Sequence, residues 1–475
     1  MPMKPTIPNL LKLTVCLFIS ATFAAMGQPA EAQPAQSPAI SPERFLQLEK
    51  AVQDVQRQNQ ELRQENGQLR NRVEQLELQK PVALQAGISS TNAPSAESKP
   101  NFVLPWGKEA NLKLGGFIQA QGEFGDAGSM FGVFPDSTRT TPIQNRFFLR
   151  RARINVSGDF LENFDFKLEG DFAQGDGISG SRTGFSATDL FLNWHQFPEA
   201  NLKVGQFKSS FGLEQTTPDT TIFTIERTQP SGALTPERQI GVQLWGKPLA
   251  NLRPKQKDWL EYAVGIFNGN NRNTQLNDDA NFMCVGRIAS TPFAGKLFGQ
   301  DAKWKLGVDG AYSRYGAGTR ISQTGNLKFN ADGSLSAFNV PAAAGSAAKS
   351  TSWAVNQTLT VGPFDVIAEY LEEKVEPLNS TPFKAFTANG YYMQGSYYFP
   401  GKKFQLVGEY ESFNPGQAKN DDVRSVIGGL NYYIKGDHLK LMLNYIHTWS
   451  DFRHNNPTFG KNEFDEVLLR AQLMF

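Results

Sequence analysis

Asp465-Glu466-Val467-Leu468-Leu469-Arg470-Ala471-Gln472-Leu473-Met474-Phe475 is the stretch on which the fold turns. Val467, Leu469, Ala471, Leu473 and Phe475 share one parity. Glu466, Arg470 and Gln472 share the other, together with Leu468 and Met474. Side chains of a strand alternate between faces, so the segment reads as a strand with one apolar and one largely polar face. Placed last in a soluble domain, such a strand leaves an apolar edge open to other chains. In a membrane barrel the same strand pairs with the first and closes the sheet. A closed barrel is therefore the expectation against which the rest of the chain is read.

Composition agrees. The chain of 475 residues is rich in Gly (43), Phe (36) and Tyr (12) and poor in His (4). By length alone it would divide into about three domains, but a large barrel is one unit. Mean hydropathy is negative, and no internal apolar run reaches the roughly 20 residues of a membrane helix. A barrel stays polar on average because only alternate residues face lipid. Of two cysteines, Cys16 falls in the leader and Cys284 stands alone, so no disulfide framework follows.

Four segments precede the barrel. Residues 1–32 read as a secretory signal peptide: Lys4 and Lys12, an apolar run from Leu10 to Ala25, and a small-x-small cleavage site at Ala30-Glu31-Ala32. An earlier cut near Ala25 is the alternative. Leu13-Thr14-Val15-Cys16 is a poor lipoprotein box, because apolar residues continue past Cys16. Residues 33–42 are a Pro/Ala/Gln linker. Residues 43–80 carry a heptad, with Leu48, Val55, Leu62, Leu69 and Leu76 at d and Phe45, Val52, Asn59, Asn66 and Val73 at a. An a/d stripe this narrow and this long predicts a coiled coil, with Asn59 and Asn66 setting its register. Residues 81–101 are a flexible linker. Export combined with a closed barrel implies a bacterial outer membrane, with the coiled coil on the periplasmic side.

From 102 to 475 one theme recurs. Leu112, Leu114, Ile118, Ala120 and Phe124 oppose Lys113, Gln119, Gln121 and Glu123; Ile154, Val156 and Phe160 oppose Arg151, Arg153, Asn155 and Asp159. Counting the segments that open near 164, 187, 202, 239, 259, 282, 304, 352, 364, 390, 403, 425, 439 and 465 gives sixteen strands, an even number as single-chain bacterial barrels require. Connections alternate between tight turns (161–163, 198–200, 361–363, 400–402, 435–437) and long polar loops (125–145, 174–186, 207–238, 268–281, 316–349, 373–389, 414–424, 450–464), with 247–258 and 292–303 as longer turns. That asymmetry belongs to a sixteen-stranded antiparallel transmembrane β-barrel with short periplasmic turns and long outer loops. Tyr391-Tyr392, Tyr397-Tyr398-Phe399, Tyr432-Tyr433, Phe147-Phe148 and Phe475 are expected to form interfacial aromatic girdles.

Three stretches carry a resemblance: Phe148-Leu149-Arg150-Arg151-Ala152-Arg153-Ile154 with Gly158; Val204-Gly205-Gln206-Phe207-Lys208-Ser209-Ser210-Phe211-Gly212-Leu213-Glu214, continuing to Glu226-Arg227 and Pro236-Glu237-Arg238-Gln239-Ile240-Gly241; and Val264-Gly265-Ile266-Phe267-Asn268-Gly269. Together with Leu469-Arg470-Ala471-Gln472-Leu473 they resemble the phosphate-selective porin O and P family over roughly Asn111 to Phe475. Ser210 stands where the family usually has proline. The resemblance implies a trimer and a third outer loop, 207–238, folded inward to narrow the pore. Resemblance to outer-membrane barrels at large makes terminal Phe475 the signal read by the barrel-assembly machinery.

A sixteen-stranded barrel leaves an aqueous lumen that passes small polar solutes, with lumen charge setting preference. Preference for phosphate or another inorganic anion needs fixed cationic donors, best supplied by guanidinium forks. The candidates are Arg151 and Arg153 on the lumen parity of the second strand, Arg227 and Arg238 in the inward loop, and Arg287. Lys208 shares the parity of Leu202 and Val204 and is expected to face lipid unless the strand has ended. These arginines either stay open to passing anions or pair with lumen-parity acids such as Glu123, Glu169, Asp171, Asp309, Glu369, Glu409 and Glu411. The chain has 47 basic and 46 acidic residues; without the leader (two basic, one acidic) and residues 33–101 (eight of each), 37 of each remain. The barrel is neutral on balance, which leaves a general diffusion porin without phosphate preference, or a structural tether acting through the coiled coil, as alternatives. No cofactor motif or metal-ligand spacing is present. Asp278-Asp279 and Asp421-Asp422 read as solvated loop tips, and His195, His438, His447 and His454 sit in no catalytic motif, so no enzyme activity is expected. Basic tracts and aromatic platforms for nucleic acid are absent.

The d-position leucines and Val55 have no burial within one helix. An isolated 43–80 peptide is expected to sediment as an oligomer at millimolar concentration; a monomer there would sink the coiled-coil reading.

Overall fold

The computed structural model describes residues 103–105, 110–135, 143–173, 184–321, 327–330 and 333–475. The signal peptide, both linkers and the coiled coil with Asn59 and Asn66 lie outside the described residues. Sixteen long strands follow in chain order: β1 (Ala110–Gly125), β2 (Arg146–Phe160), β3 (Phe164–Asp171), β4 (Ser186–Phe197), β5 (Ala200–Lys208), β6 (Arg238–Gly246), β7 (Leu260–Phe267), β8 (Met283–Leu297), β9 (Gln300–Tyr315), β10 (Ala347–Val361), β11 (Phe364–Leu378), β12 (Phe386–Tyr398), β13 (Phe404–Asn414), β14 (Val423–Lys435), β15 (Leu439–Ser450) and β16 (Glu463–Met474). Each pairs antiparallel with its sequence neighbours, and β16 pairs back onto β1 from Met474↔Phe117 to Glu466↔Gly125. The sheet is a closed barrel. A three-residue strand, Val103–Pro105, adds to β1 at Asn111–Lys113, just past the point where β16 stops.

The seam is finished by the last residue. Phe475 N–H donates to Gly116 O and Gly116 N–H donates to Phe475 O, both at 3.0 Å. A Cβ on Gly116 would lie 2.4 Å from the Arg153 carbonyl oxygen and 2.8 Å from the Phe475 ring. Gly116 is therefore a close-approach glycine that makes room for the terminal aromatic.

Alternation sorts the faces as the sequence implies. On β16 Leu469, Ala471 and Leu473 point out, while Glu466, Leu468, Arg470 and Gln472 are buried inward. Leu468 joins Ile427, Met442 and Ile446 of neighbouring strands around Met130 and Ile225, which enter the lumen from two long loops. That apolar plug explains an inward leucine. Among the described residues no helix is long and apolar enough to cross a membrane.

Three expectations need correction. The connection near 292–303 is tight: Leu297 pairs with Gln300, and Phe298 (φ 51°) and Gly299 (φ 76°) form a two-residue turn with both φ positive, the hand that suits twisted hairpins. The aromatic girdles are thinner than the clusters suggest. Tyr391, Phe147, Phe399 and Phe475 face outward, but Tyr392, Tyr398 and Tyr433 are buried on the lumen side, because neighbours in a strand cannot share a face. Lys208 lies within β5 and yet its Nζ reaches the third loop, donating to the carbonyls of Gln215 (2.8 Å) and Thr217 (3.2 Å). Gly205, at φ 126°, breaks the alternation of β5, and both Gln206 and Phe207 are buried after it.

Closure leaves every long strand paired on both sides, so the folded barrel should migrate as a compact band in SDS until boiled. Gly116→Val overfills the seam at a cost of about 1–3 kcal/mol and should lower the temperature at which that band is lost. An unchanged transition would show that the seam yields freely.

Candidate functional site

The third loop, residues 209–237, leaves β5 and returns at β6, where Lys208 pairs with Arg238. It crosses the lumen between. Its first helix, α1 (Leu213–Thr216), and its second, α2 (Gln229–Leu234), are short and buried, and the stretch 219–226 runs along the inner wall of β1, β14, β15 and β16. Inward donors from those strands satisfy its carbonyls: Gln119 Nε2 donates to Asp219 O (3.1 Å), Lys440 Nζ to Thr220 O (2.7 Å), Asn431 Nδ2 to Phe223 O (2.8 Å), and Arg470 Nη1 to Ile225 O. Ile225 N–H donates in turn to Asn444 Oδ1 at 2.6 Å. Buried backbone polar groups need such partners.

On this side the lumen is basic. The β1–β2 register shifts at Gln119/Ala120, which pair with Arg151 and Leu149, so Arg150 is an extra residue in β2. A bulge of this kind lets two successive residues share a face. Arg150, Arg151 and Arg153 all reach inward. Arg153 donates to Asp171 Oδ2 (2.9 Å) and to Asp219 Oδ2 of the third loop (2.6 Å). Arg151 Nε lies 3.5 Å from the same Asp219 carboxylate, and Arg227 Nη1 is ion-paired with its other oxygen. Arg150 grips Glu226 with two nitrogens at 2.8 and 3.1 Å, and Arg470 holds it from β16 at 2.6 Å.

The remaining expected residues sit apart from that pair of clusters. Arg238 bonds Asp189 at 2.7 Å and touches the Arg153 group through Glu169, 3.8 Å away. Arg287 pairs with Asp309 at 2.7 Å on β8 and β9, on the opposite wall. Phe475 is at the seam. The sequence reading missed Arg150, Arg470, Asp219 and Glu226. Arg470 was visible on the polar parity of its strand. Arg150 would face lipid in an unbroken strand, and nothing in the loop sequence marks Asp219 as an inward ligand.

The opposite wall is acidic. Glu369, Glu373, Glu409 and Glu411 are buried, and among the described residues none has a Lys or Arg within 4.0 Å. They accept neutral donors instead. Leu213 N–H donates to Glu369 (2.6 Å), Gln229 N–H to Glu411 (2.7 Å), Gln394 Nε2 to Glu409 (2.5 Å) and Ser350 Oγ to Glu373 (2.7 Å). The loop thus turns carboxylates toward the basic wall and N–H groups toward the acidic one.

The loop carboxylates respond accordingly. Burial opposes the ionised form of Asp219, but Arg151, Arg227, Lys208 and Arg153 outweigh it and hold the group well below the usual carboxylate range. Glu226 is held low in the same way, with Arg150 and Arg470 overcoming burial. Both are anions at neutral pH. Their contribution to docking is present above the ordinary carboxylate range and is lost only as pH falls below it. Burial pushes Glu214 up, partly offset by hydrogen bonds from Thr228.

A family model described as phosphate-selective porin O and P matches residues 125–475. The chain belongs to that family. The porin is 24% identical over 351 residues to Porin O of Pseudomonas aeruginosa, covering 70% of this chain and 74% of the relative. Its fold is similar to an anion-selective porin from Comamonas acidovorans (TM-score 0.50, 11% identity, 77% of this chain and 100% of that one). It is similar also to OmpT of Vibrio cholerae in its trimer form (TM-score 0.50, 11% identity, 77% and 100%). Family and fold together make the porin an outer-membrane channel protein.

Replacing Asn444 by Leu strands the Ile225 N–H inside the lumen, at about 1–3 kcal/mol of docking free energy. Protease cleavage within 213–236 should speed up in this variant while the barrel band stays folded; unchanged cleavage would show that Asn444 does not hold the loop.

Proposed function

We propose that this porin prefers anions, inorganic phosphate among them, and that the guanidinium cluster at the third loop carries the preference. The observation behind the reading is the convergence of Arg150, Arg151, Arg153, Arg227 and Arg470 on one stretch of loop inside the lumen. Guanidinium forks match the oxygens of phosphate. Low-dielectric walls focus their field onto the path of a solute. Arg238 extends the basic face, and Arg287 contributes on the far wall. The description of the matching family as phosphate-selective and that of the Comamonas neighbour as anion-selective support the same direction. We further propose a homotrimer, a periplasmic coiled coil over 43–80 joined by linkers to the barrel, and Phe475 as the residue read during assembly.

The alternative is a general diffusion porin without phosphate preference. Glu369, Glu409 and Glu411 on the other wall favour it, since among the described residues no Lys or Arg neutralises them and they add no cationic charge to that side of the lumen. A tether role for residues 33–101 is separable: deleting them should alter envelope attachment and leave conductance intact.

Reversal potentials in asymmetric salt decide between the channel readings. The wild type is expected to be anion-selective, and Arg151→Gln with Arg153→Gln should move the reversal potential toward cations and weaken phosphate block of chloride current. Cation selectivity in the wild type would remove the phosphate assignment and leave the general porin.

A further inference from the structure

The geometry points to Asp219 as a specificity-determining residue: its carboxylate is a tethered counter-ion that a permeating anion must displace from the arginine cluster. This rests on the reading of that cluster as the anion site. Arg153 Nη1 at 2.6 Å, Arg151 Nε at 3.5 Å and the ion-paired Arg227 surround one carboxylate. Lys208 Nζ stands beside it, held by the Gln215 and Thr217 carbonyls. Guanidiniums from two wall positions and one loop position around a single oxyanion form an anion site, and its occupant is part of the chain. Glu226 repeats the arrangement with Arg150 and Arg470. Two carboxylates on one run of loop therefore fill the two guanidinium sets of the basic wall.

A ligand on a short tether competes at an effective concentration of the order of millimolar. Chloride offers one point charge and no second oxygen for a fork, so it displaces the carboxylate poorly. Phosphate carries up to two negative charges and can engage two guanidiniums at once. The resident carboxylate thus raises the threshold for every anion and leaves multivalent oxyanions as those that cross it. Release needs no undocking of the loop. The Asp219 carbonyl is held separately, by Gln119 at 3.1 Å, so displacement of the carboxylate does not require that loop contact to break.

The test uses the full-length porin in planar bilayers, with chloride as carrier and inorganic phosphate as the blocking probe. Asp219→Asn is expected to lower the half-blocking phosphate concentration by about tenfold or more. Glu226→Gln should shift it in the same direction, while Glu162→Gln in a turn at the opposite end should match the wild type. If Asp219→Asn fails to give a heat-modifiable barrel, Glu226→Gln decides alone. Half-block within about twofold of wild type in the folded variants overturns the inference. So does a larger Asp219→Asn conductance with anion preference lost, because Asp219 would then be an anchor and not a competitor. Reversal potentials recorded on the same wild-type channels separate the two failures. A cation-selective wild type sinks the underlying reading; an anion-selective wild type with unaltered block in the variants sinks only this one.

Discussion

The structure depends on one constraint: backbone N–H and C=O groups facing hydrocarbon have no partner but each other. A sheet meets it only by closing, and here closure is made by β16 lying along β1 and by Phe475 exchanging hydrogen bonds with Gly116. Once the ring is closed, each strand must show alternate residues to lipid and to the lumen. A largely polar inner face then follows, and with it the need to satisfy many inward polar side chains alongside the apolar clusters that the long loops build against the wall. The third loop meets that need along half the wall.

What docks the loop is complementarity on two sides. Toward β2 and β16 it presents Asp219 and Glu226 to guanidiniums; toward β11 and β13 it presents the N–H groups of Leu213 and Gln229 to carboxyl groups. Neither set would be stable buried and unmatched. The segregation also explains how equal numbers of acidic and basic residues coexist with a strongly basic patch. Part of the balance is struck inside the patch, where Asp219, Glu226 and Asp171 pair with its arginines, and part across the lumen, where the carboxyl groups have no cationic partner.

The barrel was legible because strand alternation and loop asymmetry are local signals. Sixteen strands, their order of faces and the inward third loop were all readable, the last through resemblance. The departures have three separate causes. The Arg150 bulge shifts parity by one, and the positive φ of Gly205 distorts β5 without a change of register; a pattern of period two has no means of registering either in advance. Lys208 and Arg150 were lost to this. Asp219 and Glu226 were lost because docking of an irregular loop depends on contacts with strands up to about 250 positions away in sequence. Tyr392 and Tyr398 leave the expected girdle because adjacent residues part company on a regular strand, so only one of each aromatic pair faces lipid.

The bulge in β2 has a further meaning for charge density. A strand advances about 3.4 Å per residue, so a regular one offers a single inward position every 6.8 Å or so. No choice of sequence can exceed that spacing while alternation holds. The extra residue at Arg150 sets two cations side by side on the lumen face and leaves the outward face to Leu149 and Ile154. The density of positive charge on this part of the lumen wall is thus raised by one inserted residue, at constant strand number.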